Sequence, residues 1–87
     1  MEKLSHMPNI GKSLEKQLKE VGIENCEQLL ALGSQGAFQK IREIDSSACL
    51  NKLCALEGAI QGIRWHDLSQ TCKDELKSFF LSQKPED

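Results

Sequence analysis

The sequence predicts a compact all-α domain of five helices. Apolar residues recur every three to four positions along most of the chain, which is the spacing of the buried face of a helix. Glycines and capping residues divide this pattern into short segments, and no segment alternates with a period of two as a strand would. A chain of 87 residues suits one domain. We expect a single domain over residues 1–87, with an ordered core from about residue 4 to about residue 82 and a frayed polar end.

The first two helices are predicted from their caps. Helix one covers about residues 11–21 and ends at Gly22. Helix two begins after Asn25, has Gln28 placed as in a capping box, and stops at Gly33. The apolar positions are Leu14, Leu18 and Val21 in helix one, and Leu29, Leu30 and Leu32 in helix two.

The last three helices are predicted in the same way. Helix three starts with Ser34 as its cap, and helix five starts at Asp67 or Ser69. Helix four runs over about residues 47–63, with cap candidates at 45–47, and its wide apolar arc predicts a central position. The inner faces are Ala37, Phe38, Ile41 and Ile44 in helix three, Cys49, Leu53, Leu56 and Ile60 in helix four, and Leu68, Cys72, Leu76, Phe79 and Phe80 in helix five.

Helix four contains two glycines, Gly58 and Gly62, four residues apart. Glycine inside a helix costs about 1 kcal/mol relative to alanine, so these positions need a reason. We expect another helix to approach closely on this side, and the alternative is that helix four frays near Gly58. Trp65 follows the helix, and its large apolar surface is expected to hold helix five on the core. An interface role for Trp65 is the alternative.

The four cysteines fall on or beside apolar helix positions and are Cys26, Cys49, Cys54 and Cys72. Because there is no export signal, we expect small buried thiols rather than disulfides. A metal site is not predicted, since no Cys-x-x-Cys is present and Cys49 and Cys54 diverge by roughly 140° on a helix. His6 and His66 lie on different segments. We expect no metal and no cofactor.

No catalytic motif is present. Gly11-Lys12-Ser13 resembles the end of a phosphate loop, but His6 stands where that loop needs its first glycine, and no strand precedes it. The chain has no Tyr and no Gly-x-Ser-x-Gly. His66 and Asp67 are interpreted as a surface histidine beside a helix-capping carboxylate. We therefore expect no enzyme activity, no catalytic residue and no small-molecule substrate.

The turn over residues 7–11 is the main functional candidate. Pro8 fixes the backbone, Asn9 and Gly11 tolerate positive φ, and a helical pattern begins at once. Such a turn presents free backbone N–H groups at a helix N-terminus, where phosphate can bind. This is the chemistry of a helix–hairpin–helix module. Only seven residues precede Pro8, which leaves room for at most one or two helical turns before it.

Three lysines extend this candidate site along helix one. Lys12, Lys16 and Lys19 share the face opposite the apolar stripe and could follow a DNA backbone. Glu15 and Glu20 flank the lysines, and a lysine face opposite the core is usually only solvated. A structural or protein-contacting turn is therefore the alternative. The DNA-binding hypothesis comprises Asn9, Ile10, Gly11, Lys12, Ser13, Lys16 and Lys19.

The overall charge gives DNA binding little support. The net charge is −2, from 11 basic and 13 acidic residues, and no basic tail is present. Any DNA contact must therefore depend on a local patch. No apolar run approaches the roughly 20 residues of a membrane span, and the N-terminus has no signal-peptide pattern. We expect a cytoplasmic protein that does not bind membranes.

Two stretches together resemble a known family. The first covers residues 4–30 and includes Met-Pro-Asn-Ile-Gly-Lys and Val-Gly-Ile, and the second covers residues 55–68. They look like the C-terminal domain of the TfoX/Sxy regulators of bacterial competence, over roughly residues 4–80. The Leu-Glu-Gly-Ala and Gly-Ile-Arg-Trp parts of the second stretch are the more specific, because the hairpin pattern recurs in many DNA-binding modules.

The resemblance implies a helical fold related to helix–hairpin–helix modules, with no catalytic residue. It also implies a role in promoting transcription of genes for DNA uptake. Those regulators carry a further N-terminal domain, so we expect a stand-alone C-terminal domain here. Asn9 stands where the common hairpin pattern has glycine. We predict a non-enzymatic regulatory module that acts mainly through a protein partner or self-association. The alternative is a sequence-independent DNA-binding hairpin.

Overall fold

The computed structural model describes residues 4–82. In chain order the elements are a 3₁₀ turn at Leu4–His6, helices α1 (Lys12–Glu20), α2 (Cys26–Ile44) and α3 (Leu50–Gln61), a second 3₁₀ turn at Trp65–Asp67, and helix α4 (Gln70–Ser82). Residues 4–82 contain no strand, so the all-α prediction is confirmed. The expected fraying of residues 83–87 lies outside the described residues.

The described chain has four α-helices where five were predicted. The predicted boundary at Gly33 is a kink inside α2, because the helix continues on both sides of a residue with φ 83° and ψ 165°. Only glycine adopts this conformation readily. Ser34 was predicted to cap a separate helix, but its buried hydroxyl instead donates to Glu57 Oε1 on α3 (2.6 Å). Ile44, predicted to face inward, is 51% exposed at the end of α2.

The predicted caps of the first two helices are present. Gly22 has φ 90°, and the N–H of Ile23 donates to the carbonyl of Leu18 (2.8 Å) in the pattern of a left-handed C-cap. Asn25 Oδ1 accepts the N–H of Gln28 (2.9 Å), and Gln28 Oε1 accepts the N–H of Glu24 (2.6 Å). In a capping box the Gln28 side chain would bond the N–H of the N-cap residue, Asn25. Here it bonds the N–H of the preceding residue, Glu24.

Helix α3 is shorter than predicted at both ends. Asp45 and Ser47 form a turn before the helix, in which the Asp45 carboxylate accepts both the N–H and the hydroxyl of Ser47. Cys49 is the actual N-cap, and it is exposed rather than on the inner face. The helix ends at Gln61 because Gly62 takes a left-handed conformation with φ 77°. Of the two caps considered for α4, Ser69 is confirmed, since its Oγ accepts the Cys72 N–H (3.1 Å).

The core forms around α3, which packs against α2, α4 and the second 3₁₀ turn. This is the central position predicted for it. Trp65 is half-buried in that 3₁₀ turn and packs against the core. The largest fully buried side chains come from every helix except α4 and from the first 3₁₀ turn: Leu4, Leu18, Leu29, Phe38, Ile41, Leu53 and Leu56.

A polar cluster joins α1 to the start of α3. Asp45 Oδ2 accepts from Gln17 Nε2 on α1 (3.0 Å) and lies 3.6 Å from Lys52 Nζ on α3. Lys52 Nζ also donates to Gln17 Oε1 (2.6 Å). The hydrogen bonds from the Ser47 side chain and Gln17 lower the pKa of Asp45 from 3.8 to about 2. The carboxylate of Asp45 is thus stabilised in its charged form.

This pKa shift predicts an acid-dependent contribution to stability. Because the folded pKa lies below the unfolded value, the contribution is present above pH 3.8 and is lost as the pH falls toward 2. The Asp45→Asn substitution should lower the melting temperature at neutral pH, and the difference from the wild type should shrink over that acidic range. Thermal unfolding followed by circular dichroism at several pH values measures this. Asp74→Asn, which removes the charge of an exposed carboxylate that accepts from Gln70 on the same helix, should show no such convergence.

Candidate interaction site at the N-terminal turn

The turn before α1 is built from short backbone bonds and one left-handed residue. The Met7 N–H donates to the Leu4 carbonyl (3.0 Å) and the Ile10 N–H to the Met7 carbonyl (3.4 Å). Asn9 has φ 70°, which among the described residues is the one positive value outside glycine. Asparagine adopts this conformation more readily than most side chains. The sequence expectation of positive φ in this turn is therefore confirmed at Asn9.

The Asn9 side chain points into the protein rather than toward solvent. Its Nδ2 donates to the Ile63 carbonyl (2.9 Å) and, at longer range, to the Ala55 carbonyl (3.4 Å). Its Oδ1 accepts a hydrogen bond from the backbone N–H of Trp65 (3.1 Å). One carboxamide thus bonds a backbone carbonyl within α3 and two backbone groups just after it, and the Ile63 and Trp65 groups lie beyond the intrahelical bonds of α3.

Gly58 makes room for this carboxamide. A Cβ atom at Gly58 would lie 2.5 Å from Asn9 Nδ2, 2.9 Å from the Ile63 carbonyl oxygen and 3.0 Å from the Trp65 nitrogen. The expected close approach at Gly58 therefore exists, but a side chain and the following loop make it rather than another helix. Fraying, the alternative, is also wrong, since α3 continues to Gln61. We call the contact of Asn9 with Gly58, Ile63 and Trp65 the Asn9 lock.

The structure divides the seven residues of the DNA-binding hypothesis. Ile10 is 5% exposed and belongs to the core, and the Asn9 side chain is taken up by the lock. Their side chains therefore do not face a ligand. The other five residues are exposed and follow one another from the turn along α1: Gly11, Lys12, Ser13, Lys16 and Lys19.

The start of α1 remains open. Gly11 is the N-cap in an extended conformation (φ −92°, ψ −174°) with no side-chain cap bond, and no neighbouring atom lies within 4 Å of its possible Cβ position. The lysine face beside it forms a shallow, open depression of about 430 Å³ that also includes Glu15 and Glu20. Glu15 Oε2 accepts the Ser5 N–H (3.2 Å). The face thus has mixed charge, as the sequence indicated.

A second surface, which the sequence analysis missed, lies where α1 meets α2. Leu30 is 52% exposed and Leu32 is 38% exposed, whereas Leu29 is fully buried. Leu32 lies beside an open depression of about 390 Å³ that includes Val21, Ile23 and Lys40. The spacing contained the signal, since three leucines within four residues cannot all share one helix face. We call Leu32 and this depression the leucine corner; Leu30, two residues earlier on the helix, faces away from it.

The cysteines give no sign of a reactive or metal-binding centre. All four are free, with Cys26 and Cys54 buried, Cys72 half-buried and Cys49 exposed, so the expectation of burial is wrong for Cys49. Burial raises the pKa of the Cys54 and Cys72 thiols, which favours the protonated form that is a poor nucleophile and ligand. Within residues 4–82 no group of three or more His, Cys, Asp or Glu side chains could hold a metal ion.

The Asn9 lock predicts a specific stability defect. Gly58→Ala should destabilise the protein by about 1–3 kcal/mol, because the new methyl group overlaps the Asn9 amide and two backbone atoms. Gly11→Ala, at a position with open space, should change stability by less than about 1 kcal/mol. Urea unfolding of both variants measures the difference. Combining Gly58→Ala with Asn9→Gly should give a non-additive loss, and strict additivity would show that the two residues do not interact.

No helix within residues 4–82 has the length and apolar character to cross a membrane. The comparisons with known proteins agree with the fold, and they span both segments that form the lock. The family model of the TfoX C-terminal domain matches residues 1–80. Protein Sxy of Escherichia coli (strain K12) is 34% identical over 84 residues, which cover 97% of this chain and 40% of that protein.

Two crystal structures from Listeria monocytogenes are similar over nearly the whole chain. One, an uncharacterized protein in a triclinic form, has a TM-score of 0.90 and 53% identity, covering 91% of this chain and 90% of that one. The other, a protein of unknown function in a tetragonal form, has a TM-score of 0.92 and 51% identity, covering 94% and 100%. With the family model matching residues 1–80, the chain belongs to the TfoX C-terminal domain family.

Proposed function

We propose that this domain is a non-enzymatic regulatory module of the competence-regulator type that acts by binding another protein chain. Family membership supports the regulatory role. The chain spans only about 40% of the length of Protein Sxy, so the activity of a whole regulator is part of the proposal. The observation that carries the protein-contact mechanism is the leucine corner.

The leucine corner has the composition of a small protein interface. Leu32 is 38% exposed beside the partly buried Val21, and apolar surface that a partner covers there is worth about 25 cal/mol per Å². Polar side chains of Gln28 and Lys40 border the adjoining depression. An apolar centre with a polar rim is typical of protein contacts.

The kink at Gly33 explains why Leu32 remains at the surface. It redirects α2 directly after Leu32, and the Leu32 side chain lies against Gly36, with carbon atoms 2.9 Å from the possible Cβ position of that glycine. Leu32 therefore packs along its own helix rather than into the core. The segment after the kink is held in place, since the Ser34 hydroxyl donates to Glu57 on α3.

The Leu32→Glu substitution tests the leucine corner. It should leave the fold intact, because the side chain is already 38% exposed, and it should abolish capture of protein partners from the native cytoplasm or self-association in sedimentation experiments. Leu81→Glu is the matched control, since Leu81 is 51% exposed at the other end of the chain. Equal behaviour of the two variants, or a wild-type protein with no partner and no self-association at high concentration, would contradict the proposal.

A DNA-binding hairpin is the second candidate, and the open start of α1 favours it. Gly11 leaves the first backbone N–H groups of α1 accessible, and exposed Lys12, Lys16 and Lys19 follow it. A phosphate at a helix N-terminus is stabilised by these donors and by the helix dipole. Only the backbone of the turn and these lysines would contact DNA, because the side chains of Asn9 and Ile10 point inward.

A salt series tests this second candidate. If the lysine face binds DNA phosphates, the binding constant for duplex DNA should fall steeply with salt, and Lys12→Glu with Lys16→Glu should abolish binding. Fluorescence anisotropy of a labelled duplex measures it. The matched control combines Lys40→Glu with Lys77→Glu, which makes the same charge change at exposed positions on α2 and α4. Absence of binding at low salt would exclude the hairpin as a DNA site.

A further inference from the structure

We propose that Arg64, Trp65, His66 and Lys73, here called the Trp65 platform, bind single-stranded nucleic acid, with one unpaired base stacked on the outer face of the His66 ring. This goes beyond the proposed function, since both the surface and the form of the ligand differ from those of the leucine corner and the hairpin. The inference depends on ring geometry, on fixation by the Asn9 lock and on local charge.

The two rings of the platform are already stacked on each other. The centroids of Trp65 and His66 lie 3.9 Å apart with an angle of 29° between their planes. Trp65 is half-buried against the core, whereas His66 is exposed. The imidazole is therefore covered by the indole on one side and faces solvent on the other. A flat base placed on the free face would extend an existing stack.

The platform is held rigid from below. The backbone N–H of Trp65 donates to Asn9 Oδ1 (3.1 Å). Residues 65–67 then form a 3₁₀ turn, in which the backbone N–H of Asp67 donates to the Arg64 carbonyl (2.9 Å). A ring that is already fixed loses little conformational entropy when a ligand stacks on it. The Asn9 lock thus orients the platform as well as closing the fold.

The charges around the rings favour a polyanion. Arg64 is exposed beside Trp65, and Lys73 Nζ donates to the His66 carbonyl (3.1 Å), which places its ammonium group on the same segment. Asp67 is the acidic residue of the turn, and Asp74, which follows Lys73, accepts a hydrogen bond from Gln70 on its own helix. The next apolar residue, Leu68, is 4% exposed. The turn therefore offers flat rings and two nearby cations, unlike the leucine corner.

A single strand fits these features better than a duplex. In a duplex the base faces are stacked on each other and only their edges are accessible, whereas an unpaired base can stack on a protein ring while its phosphates contact nearby cations. Stacking of this kind does not depend on base identity. We therefore expect binding with little sequence preference and with strong salt dependence.

The intrinsic fluorescence of Trp65, the single tryptophan of the chain, provides the test. Titration with a short oligo(dT) at low salt should quench this fluorescence, and added salt should reverse the quenching. His66→Ala should weaken binding by about 5-fold to 100-fold, the range expected when a stacking ring is removed. Arg64→Glu should weaken it further by reversing a charge. Lys40→Glu, the same change away from the platform, should have little effect.

Two results would overturn the proposal. One is the absence of quenching by oligo(dT) at low salt, and the other is unchanged oligo(dT) affinity in both Arg64→Glu and His66→Ala. The hairpin is tested separately, since Lys12→Glu with Lys16→Glu should remove duplex binding while leaving oligo(dT) on the platform. If the leucine corner does not bind a protein partner, the protein-capture experiment will show it, and the oligo(dT) titrations will be unaffected. Unchanged thermal unfolding of each variant establishes that its fold is intact.

Discussion

The Asn9 lock is the contact on which the arrangement of this domain depends. A side chain near the start of the chain bonds backbone groups more than forty residues later, at Ala55, Ile63 and Trp65. The Ile63 and Trp65 groups lie just after α3 ends, where the chain turns toward α4, and Ala55 lies within α3. Without a partner, buried backbone groups of this kind each cost about 1–3 kcal/mol. The lock therefore fixes the entry to α1, the end of α3 and the start of the second 3₁₀ turn together.

The lock also gives a physical reason for the two segments that carry the family resemblance. The Met-Pro-Asn-Ile-Gly turn supplies the carboxamide, and the Leu-Glu-Gly-Ala to Gly-Ile-Arg-Trp stretch supplies both the space at Gly58 and the bonding partners at Ile63 and Trp65. Read separately, these segments look like a hairpin and an unusually glycine-rich helix. In the structure they are the two halves of one contact. Their joint presence in the chain is therefore a stronger indication of this fold than either segment alone.

Local signals in the sequence were sufficient for most helix boundaries. The C-cap at Gly22, the N-cap at Asn25 and the cap at Ser69 each depend on bonds within a few residues, so the chain near them determines them. Two of the errors occurred where distant contacts decide the outcome. Ser34 on α2 donates to Glu57 on α3 instead of capping a helix. The group that approaches Gly58 closely is the Asn9 side chain rather than another helix. Spacing along one element does not contain that information.

The same limit applies to the candidate site. The exposure of Gly11 and of the three lysines followed from helical periodicity, because the face opposite a buried stripe must be at the surface. Asn9 could not be assigned in this way, since its amide fits a phosphate-binding turn and an internal contact equally well in sequence. The exposure of Leu32 depends on the Gly33 kink, which redirects α2 directly after it, and on the close contact of Leu32 with Gly36.

Charge balance decides how these surfaces can work together. The net charge of −2 means that the chain as a whole does not attract nucleic acid. The lysine face of α1 is flanked by Glu15 and Glu20, and Asp67 lies next to the Trp65 platform, so each cationic region is small and locally diluted. Such regions give weak, salt-sensitive contacts with nucleic acid. An apolar contact at the leucine corner is not screened by salt, so a protein partner held there could keep the domain in place while weaker contacts form and break.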